Sequence, residues 1–286
     1  MSKPVLEKFL RAVEAVYGPL RLLKHHEARV WVPPRMKDGD RGRYLWTDAF
    51  GVINLLTLYK ETTDVIYLSY ARRLVESVHD VLGRHRDGIM RLPGASDAHP
   101  LRGGLRIGKV SADGEDGDGQ YHHYLTLWMF ALNRMAIATR NLAYNQQAIE
   151  LCEAIHPHFV VERTSVRPRM YWKMSIDLST PLVSSEGNLD PFDGYTLCKL
   201  LQLTSGDAEV LRNEAADYKK IMDAKLLSYI SNDALDIGMS MWTSHWQKDE
   251  EQWAAELANH ASISLRERPT DFMIMFSHLL TMLYGR

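Results

Sequence analysis

Cysteine is scarce in this sequence: two residues in 286, Cys152 and Cys198, each embedded in a helical pattern and far from the other. So sparse a pair excludes a disulfide framework and a structural zinc site, and reads as two reduced, buried thiols. Long apolar runs are missing as well. No stretch approaches the roughly 20 residues of a membrane helix. The N-terminal "MSKPVLEKFLRAVEAVYG" carries charges throughout, as an amphipathic helix does and a signal peptide does not. An excess of either charge is also absent, since 34 basic and 36 acidic side chains leave a formal net charge of −2. That balance makes no electrostatic case for nucleic acid or an anionic membrane. A cytoplasmic protein is expected. Period-2 alternation is confined to short pieces such as Arg29–Val32 and Val160–Val161, which leaves little room for sheet.

What remains is helix. With 45% hydrophobic and 24% charged residues, the chain has ample apolar material for one domain over 1–286. Val5, Phe9, Leu10, Val13 and Val16 share one face of a first helix. After Pro33-Pro34 and the charged run Lys37 to Arg43, residues 44–84 read as two helices joined near Thr62–Asp64. Residues 86–118, rich in Gly, Pro and Asp, form a long irregular excursion, and excursions of that length are usually functional or disordered. Further helices are expected at 120–139, 143–159, 191–204, 208–228, 234–246, 249–265 and 270–284.

These helices pair, and the pairs repeat. Placing 48–83, 122–159 and 193–229 in register aligns Phe50 with Tyr124 and Tyr195, then Leu55 with Met129 and Leu200, then Leu58 with Leu132 and Leu203. The first helix of each pair is apolar on all sides and the second, such as "YARRLVESVHDVLG", is amphipathic. Inner apolar and outer amphipathic helices in alternation describe an all-α, α/α toroid of helical hairpins. An irregular helical bundle is the rival arrangement. If the inner helices run in one direction, their N-termini meet at one mouth and aim unpaired N–H groups into one cavity. The register places Asp48, His122 and Asp193 there.

The chain resembles the six-hairpin glycosidase-like superfamily, in an uncharacterised branch. The likeness is carried by "YLWTDAFGVINLLTLY", "YLSYARRLVESVHDVLGRHR", "LRGGLRIGK", "DGDGQYHHYLTLWMFAL", "MYWKMSIDLSTPLV" and "DIGMSMWTSHW", which span most of residues 44–246. It implies a central cavity in which glycoside hydrolases use carboxylates and sugar epimerases use paired histidines. Fold does not choose between them. The terminal "ERPTDFMIMFSHLLTMLYGR" is short for a closing pair, so the last hairpin is expected to be incomplete or exchanged with a neighbouring subunit, with a homodimer through the C-terminal helix.

Candidate site residues follow from the register. Asp48 follows Trp46, a carboxylate beside an aromatic platform; a plain helix cap is the alternative. Asp190-Pro191 marks a helix entry, with Asp190 as the cap, which leaves Asp193 free to face the cavity. Successive helix residues point about 100° apart, so His122 and His123 cannot share a role; the register sends His122 to the cavity and His123 sideways into packing. Tyr121, Tyr124, Trp128 and Trp172 are candidate lining residues, and Trp242 with His245 and Trp246 would form a further aromatic lip. Trp172 and Asp177 are expected on another inner helix or a short one crossing the ring. "DGEDGDGQYHH" has neither EF-hand nor zinc spacing, so no metal and no cofactor are expected. Arg102, Arg106 and Lys109, interleaved with glycines, suggest an anion-binding edge on a loop over the mouth; the GxxxxGK they contain lacks the strand and the hydroxyl of a P-loop.

Three functions fit. The first is an enzyme acting on a glycoside or sugar by carboxylate and histidine acid–base chemistry. The second is a non-hydrolytic isomerase or cyclase, pericyclase-like, that shapes an apolar metabolite with Trp128, Met129, Tyr124 and Trp242. The third is a binding toroid without catalysis. Each takes a small molecule as its ligand.

Overall fold

The computed structural model describes residues 1–35, 43–112, 114, 117–226, 229, 231 and 233–266. The helices are α1 (Lys3–Tyr17), α2 (His25–Ala28), α3 (Leu45–Thr62), α4 (Ile66–Val81), α5 (His122–Thr139), α6 (Ala143–Phe159), α7 (Asp190–Ser205), α8 (Arg212–Leu226), α9 (Ala234–His245) and α10 (Gln252–Arg266). Four two-residue strands punctuate them: β1 (Gln120–Tyr121), β2 (Val160–Val161), β3 (Arg169–Met170) and β4 (Lys173–Met174). The pairs β1–β4 and β2–β3 are antiparallel. No described helix is long and apolar enough to cross a membrane.

The alternation of inner and outer helices is realised. Helices α3, α5, α7 and α9 pack side by side in chain order, and α4, α6, α8 and α10 each pack on the inner helix before them. Thirteen of the 18 residues of α5 are buried, against six of 15 in α8. That contrast is the structural counterpart of all-round apolarity against amphipathicity. Fully enclosed Trp128, Leu55, Leu74 and Phe192 carry the core, each worth roughly 1.5–3 kcal/mol of burial. Left-handed residues stop the inner helices and turn the chain outward: Thr63 after α3, Arg140 after α5 and Gly206 after α7. Among the described residues the fold is an α/α toroid built from four hairpins.

Several expectations change. "MYWKMSIDLS" is not helical: it supplies β3 and β4, and its backbone is used up by β2 at the end of α6 and by β1 at the start of α5. Asp177 lies in the turn after β4, accepting from Ser175 and Ser179. The described part of the excursion from 86 to 118 is anchored by Gln120, just beyond it. The Gln120 amide accepts from Leu105 N and donates to the Gly103 and Ile176 carbonyls. Gly104, at φ +76°, makes this approach, since a Cβ there would lie 1.8 Å from Gln120 Oε1. Residues 37–42 of the charged run, the helix expected at 270–284, the last hairpin and the homodimer contact lie outside the described residues.

Candidate functional site

The site forms where α5, α7 and α9 begin. Strand β1 ends at Tyr121, and α5 starts on the next residue with His122 N donating to the Trp172 carbonyl at 3.0 Å. Pairing of Tyr121 with Lys173 therefore fixes the rotational phase of α5. In that phase His123 lines a cavity of about 220 Å3 together with Tyr121, Trp172, Asn188, Asp190 and Asp236. His122 is fully enclosed, with Nε2 2.8 Å from the Tyr218 hydroxyl and its ring against Phe159. The two histidines thus exchange the positions expected from the sequence register, by one residue of helix phase.

Asp193 stands behind His123. Its Oδ2 is 2.6 Å from His123 Nδ1, and its Oδ1 accepts from Thr243 Oγ1 at 2.6 Å. The Trp46 ring covers His123 at 4.7 Å between centroids. A carboxylate on Nδ1 fixes the tautomer and leaves the lone pair on Nε2; among the described residues Nε2 has no hydrogen-bond partner. Burial alone would lower the His123 imidazole, but Asp193, Asp190 and Asp236 together raise it. The Asp236 carboxyl is raised by burial, against a hydrogen bond from Ser231 that lowers it. Tyr121 is raised by burial and by the same carboxylates, so it stays a neutral phenol.

The remaining candidates scatter, each for a local reason. Asp48 is fully buried away from this cavity, in a bidentate pair with Arg43 at 2.9 Å on both oxygens, and it also accepts from the Tyr17 hydroxyl at 3.0 Å. Burial pushes the Asp48 carboxyl up while Arg43 and Tyr17 oppose it. Asp190 is not the cap of α7; that position is Leu189, and the Asp190 carboxylate turns toward His122. Trp128 is core, its Nε1 donating to His79 Nε2, and Met129 is equally enclosed, so neither shapes a cavity. Tyr124 packs between Trp46, Tyr44 and Tyr121.

The three cations of the expected anion edge have neighbours within the chain. Arg106 is buried on Asp118 at 2.6 Å and donates to the Arg84 and Val81 carbonyls, so it holds the excursion together. Arg102 approaches Glu150 at 4.0 Å, and the Lys109 ammonium sits 5.9 Å from the Tyr44 ring. Among the described residues no cluster of three His, Cys, Asp or Glu is arranged to hold a metal ion. Cys152 and Cys198 are buried and unbridged, with sulfurs 3.9 Å apart.

A larger cavity, about 510 Å3, lies toward the other end of the inner helices, between Phe50, Ile53, Phe130, Arg134, Trp242 and Trp246. Trp242 belongs to it, and His245 packs on Trp246 beside it, so this aromatic group is not a lip of the His123 cavity. The larger space is mostly apolar and contains no histidine or carboxylate. Those titratable side chains line the smaller cavity instead. Sequence reasoning missed Asp190 and Asp236 as lining residues, although their place in the first turns of α7 and α9 marks them, as it marked Asp193.

No family model and no curated protein matches the sequence. Solved structures do match in shape. The cellobiose 2-epimerase of Bacillus thermoamylovorans superposes with a TM-score of 0.56 at 9% identity, over 79% of this chain and 62% of the epimerase. A D-mannose isomerase superposes with a TM-score of 0.58 at 14% identity, over 93% of this chain and 70% of the isomerase. This chain thus spans less than two thirds of the epimerase's length. The helical hairpins around His123 form an α/α toroid, the fold shared with this epimerase and this isomerase.

Proposed function

We propose that the protein is a sugar isomerase or epimerase that moves a proton at the carbon beside a carbonyl. The observation that carries this is the His123–Asp193 dyad at 2.6 Å in a cavity lined by Tyr121, Trp172, Asn188 and Asp236. Proton abstraction near neutral pH needs a base of matched pKa with its lone pair in the cavity, and His123 Nε2 is that atom. Tyr121 and Trp172 offer flat apolar surface to a sugar ring, while Asn188, Asp236 and Glu186 offer partners to its hydroxyls. At about 220 Å3 the cavity is smaller than the roughly 300–1,000 Å3 of drug-sized pockets, which suits one monosaccharide unit. The shared fold with an epimerase and an isomerase supports the same reading.

Glycoside hydrolysis is the second reading. It is favoured by two carboxylates, Asp190 and Asp236, in one cavity, with Asp236 raised by burial as a general acid requires. Incubation with D-mannose and with cellobiose in D2O separates the two. Proton transfer places solvent deuterium on the carbon beside the carbonyl, and His123→Asn abolishes the exchange. Release of nitrophenol from nitrophenyl glycosides, with no deuterium uptake by either reducing sugar, would sink the isomerase reading and support hydrolysis.

A further inference from the structure

His122, the other half of the doublet, has an unusual environment. Its Nε2 meets the Tyr218 hydroxyl at 2.8 Å, and its Nδ1 lies 3.4 Å from Asp190 Oδ1. That is long for an N–H···O bond, yet both atoms are buried and neither has another partner. Asp190 is 6% exposed and lines the His123 cavity. Its second oxygen packs on Gly187, where a Cβ would lie 1.8 Å away. The carboxylate is therefore held between a glycine chosen for its missing side chain and an enclosed imidazole.

The tautomer of His122 follows from hydrogen-bond accounting. Burial keeps the Tyr218 phenol protonated, and among the described residues His122 Nε2 is the acceptor within its reach. If Nε2 carried the proton, the Tyr218 O–H would be orphaned and the Nδ1 lone pair would face the lone pairs of Asp190. Both defects would be buried, where a hydrogen bond left unmade is costly. The opposite tautomer satisfies everything: Tyr218 O–H donates to Nε2, and Nδ1–H points at Asp190 Oδ1.

Resting on the proton-transfer reading of the cavity, we infer that Asp190 is its second proton-transferring group, and that His122, aligned by Tyr218, is the residue that positions it. The step balances. His123 Nε2 takes the proton from C2 of an open-chain aldose while the Asp190 carboxylate accepts the O2 hydroxyl proton. Electrons shift to the C1 carbonyl oxygen, and Asp190 delivers its proton there to give the enediolate's neutral O1 hydroxyl. The His123 imidazolium then returns a proton to C1, leaving a ketose with its carbonyl at C2. Both groups end as they began, and no other reactant is needed.

Two measurements test the assignment. The first uses no substrate: 15N NMR of the imidazoles at pH 7, with the His122 signals identified by their loss in His122→Gln. A neutral ring protonated at Nδ1 is expected, changing to a tautomer mixture in Tyr218→Phe. An Nε2–H tautomer or an imidazolium in the parent overturns the inference. The second uses D-mannose in D2O with Asp190→Asn and with His122→Gln, whose amide oxygen keeps an acceptor toward Tyr218 while Nδ1 is deleted. Conversion should fall about 10²-fold in Asp190→Asn and on the order of 10- to 100-fold in His122→Gln. Deuterium at C2 of recovered substrate should fall much less, because His123 still acts and the intermediate returns. Equal loss of exchange and conversion, or unchanged conversion, refutes the role of Asp190. A His123→Asn variant that keeps its exchange refutes the cavity reading instead.

Discussion

Replacing His123 by asparagine and, separately, by alanine divides its chemical role from its structural one. The asparagine amide nitrogen occupies nearly the place of imidazole Nδ1, so His123→Asn keeps the donor that faces Asp193 Oδ2 and deletes only Nε2. Alanine deletes both. Asp193 is 1% exposed, and after His123→Ala its remaining side-chain partner is Thr243. A buried carboxylate stripped of its partner costs about 3–5 kcal/mol, which at 2–4 °C per kcal/mol for a chain of this size lowers the thermal midpoint by roughly 6–20 °C. The asparagine variant should stay within about 1 kcal/mol of the parent, since its hydrogen bond survives. Turnover should drop alike in both, by about 10²- to 10⁴-fold, the share of a general base. The assay is deuterium uptake into D-mannose beside differential scanning fluorimetry of each variant. Parent-like exchange in His123→Asn would refute the base; equal midpoints for the two variants would refute the structural worth of the His123–Asp193 pair.

Three further outcomes are expected. Asp48→Ala leaves Arg43, itself 4% exposed, without its carboxylate; calorimetry should show about 3–5 kcal/mol lost, with turnover per folded molecule unchanged. The acid limb of the activity profile should lie above 6.5, the ordinary histidine value, because Asp193, Asp190 and Asp236 raise His123 and the base must be unprotonated. Asp193→Asn should move that limb down, and the pair's contribution to stability should be complete below 6.5 and lost as pH rises through the raised value. Gly187→Ala should push the Asp190 carboxylate aside, since the new methyl would lie 1.8 Å from Oδ2; activity should fall by about 10²-fold with a small change in thermal midpoint.

The helical hairpins were legible in the residues themselves. All-round apolarity of 122–139 against the amphipathic pattern of 208–228 is a one-dimensional record of which helix is enclosed, and burial follows it in α5 and α8. The ends of α6 were readable for the same reason, as local pattern sets them, with extended Val160 following Phe159. Asp193 was reachable because Pro191 marks where α7 begins. What each polar side chain does was not readable, because that depends on a partner supplied from elsewhere in the chain. Asp48 had the position of a cavity carboxylate until Arg43 and Tyr17 enclosed it; Arg106 had the charge of an anion site until Asp118 neutralised it. The histidine doublet shows the limit most directly. Two adjacent imidazoles are interchangeable in the sequence, and one residue of helix phase, set by strand pairing with Lys173 some 50 residues downstream, sends His123 into the cavity and His122 into the core.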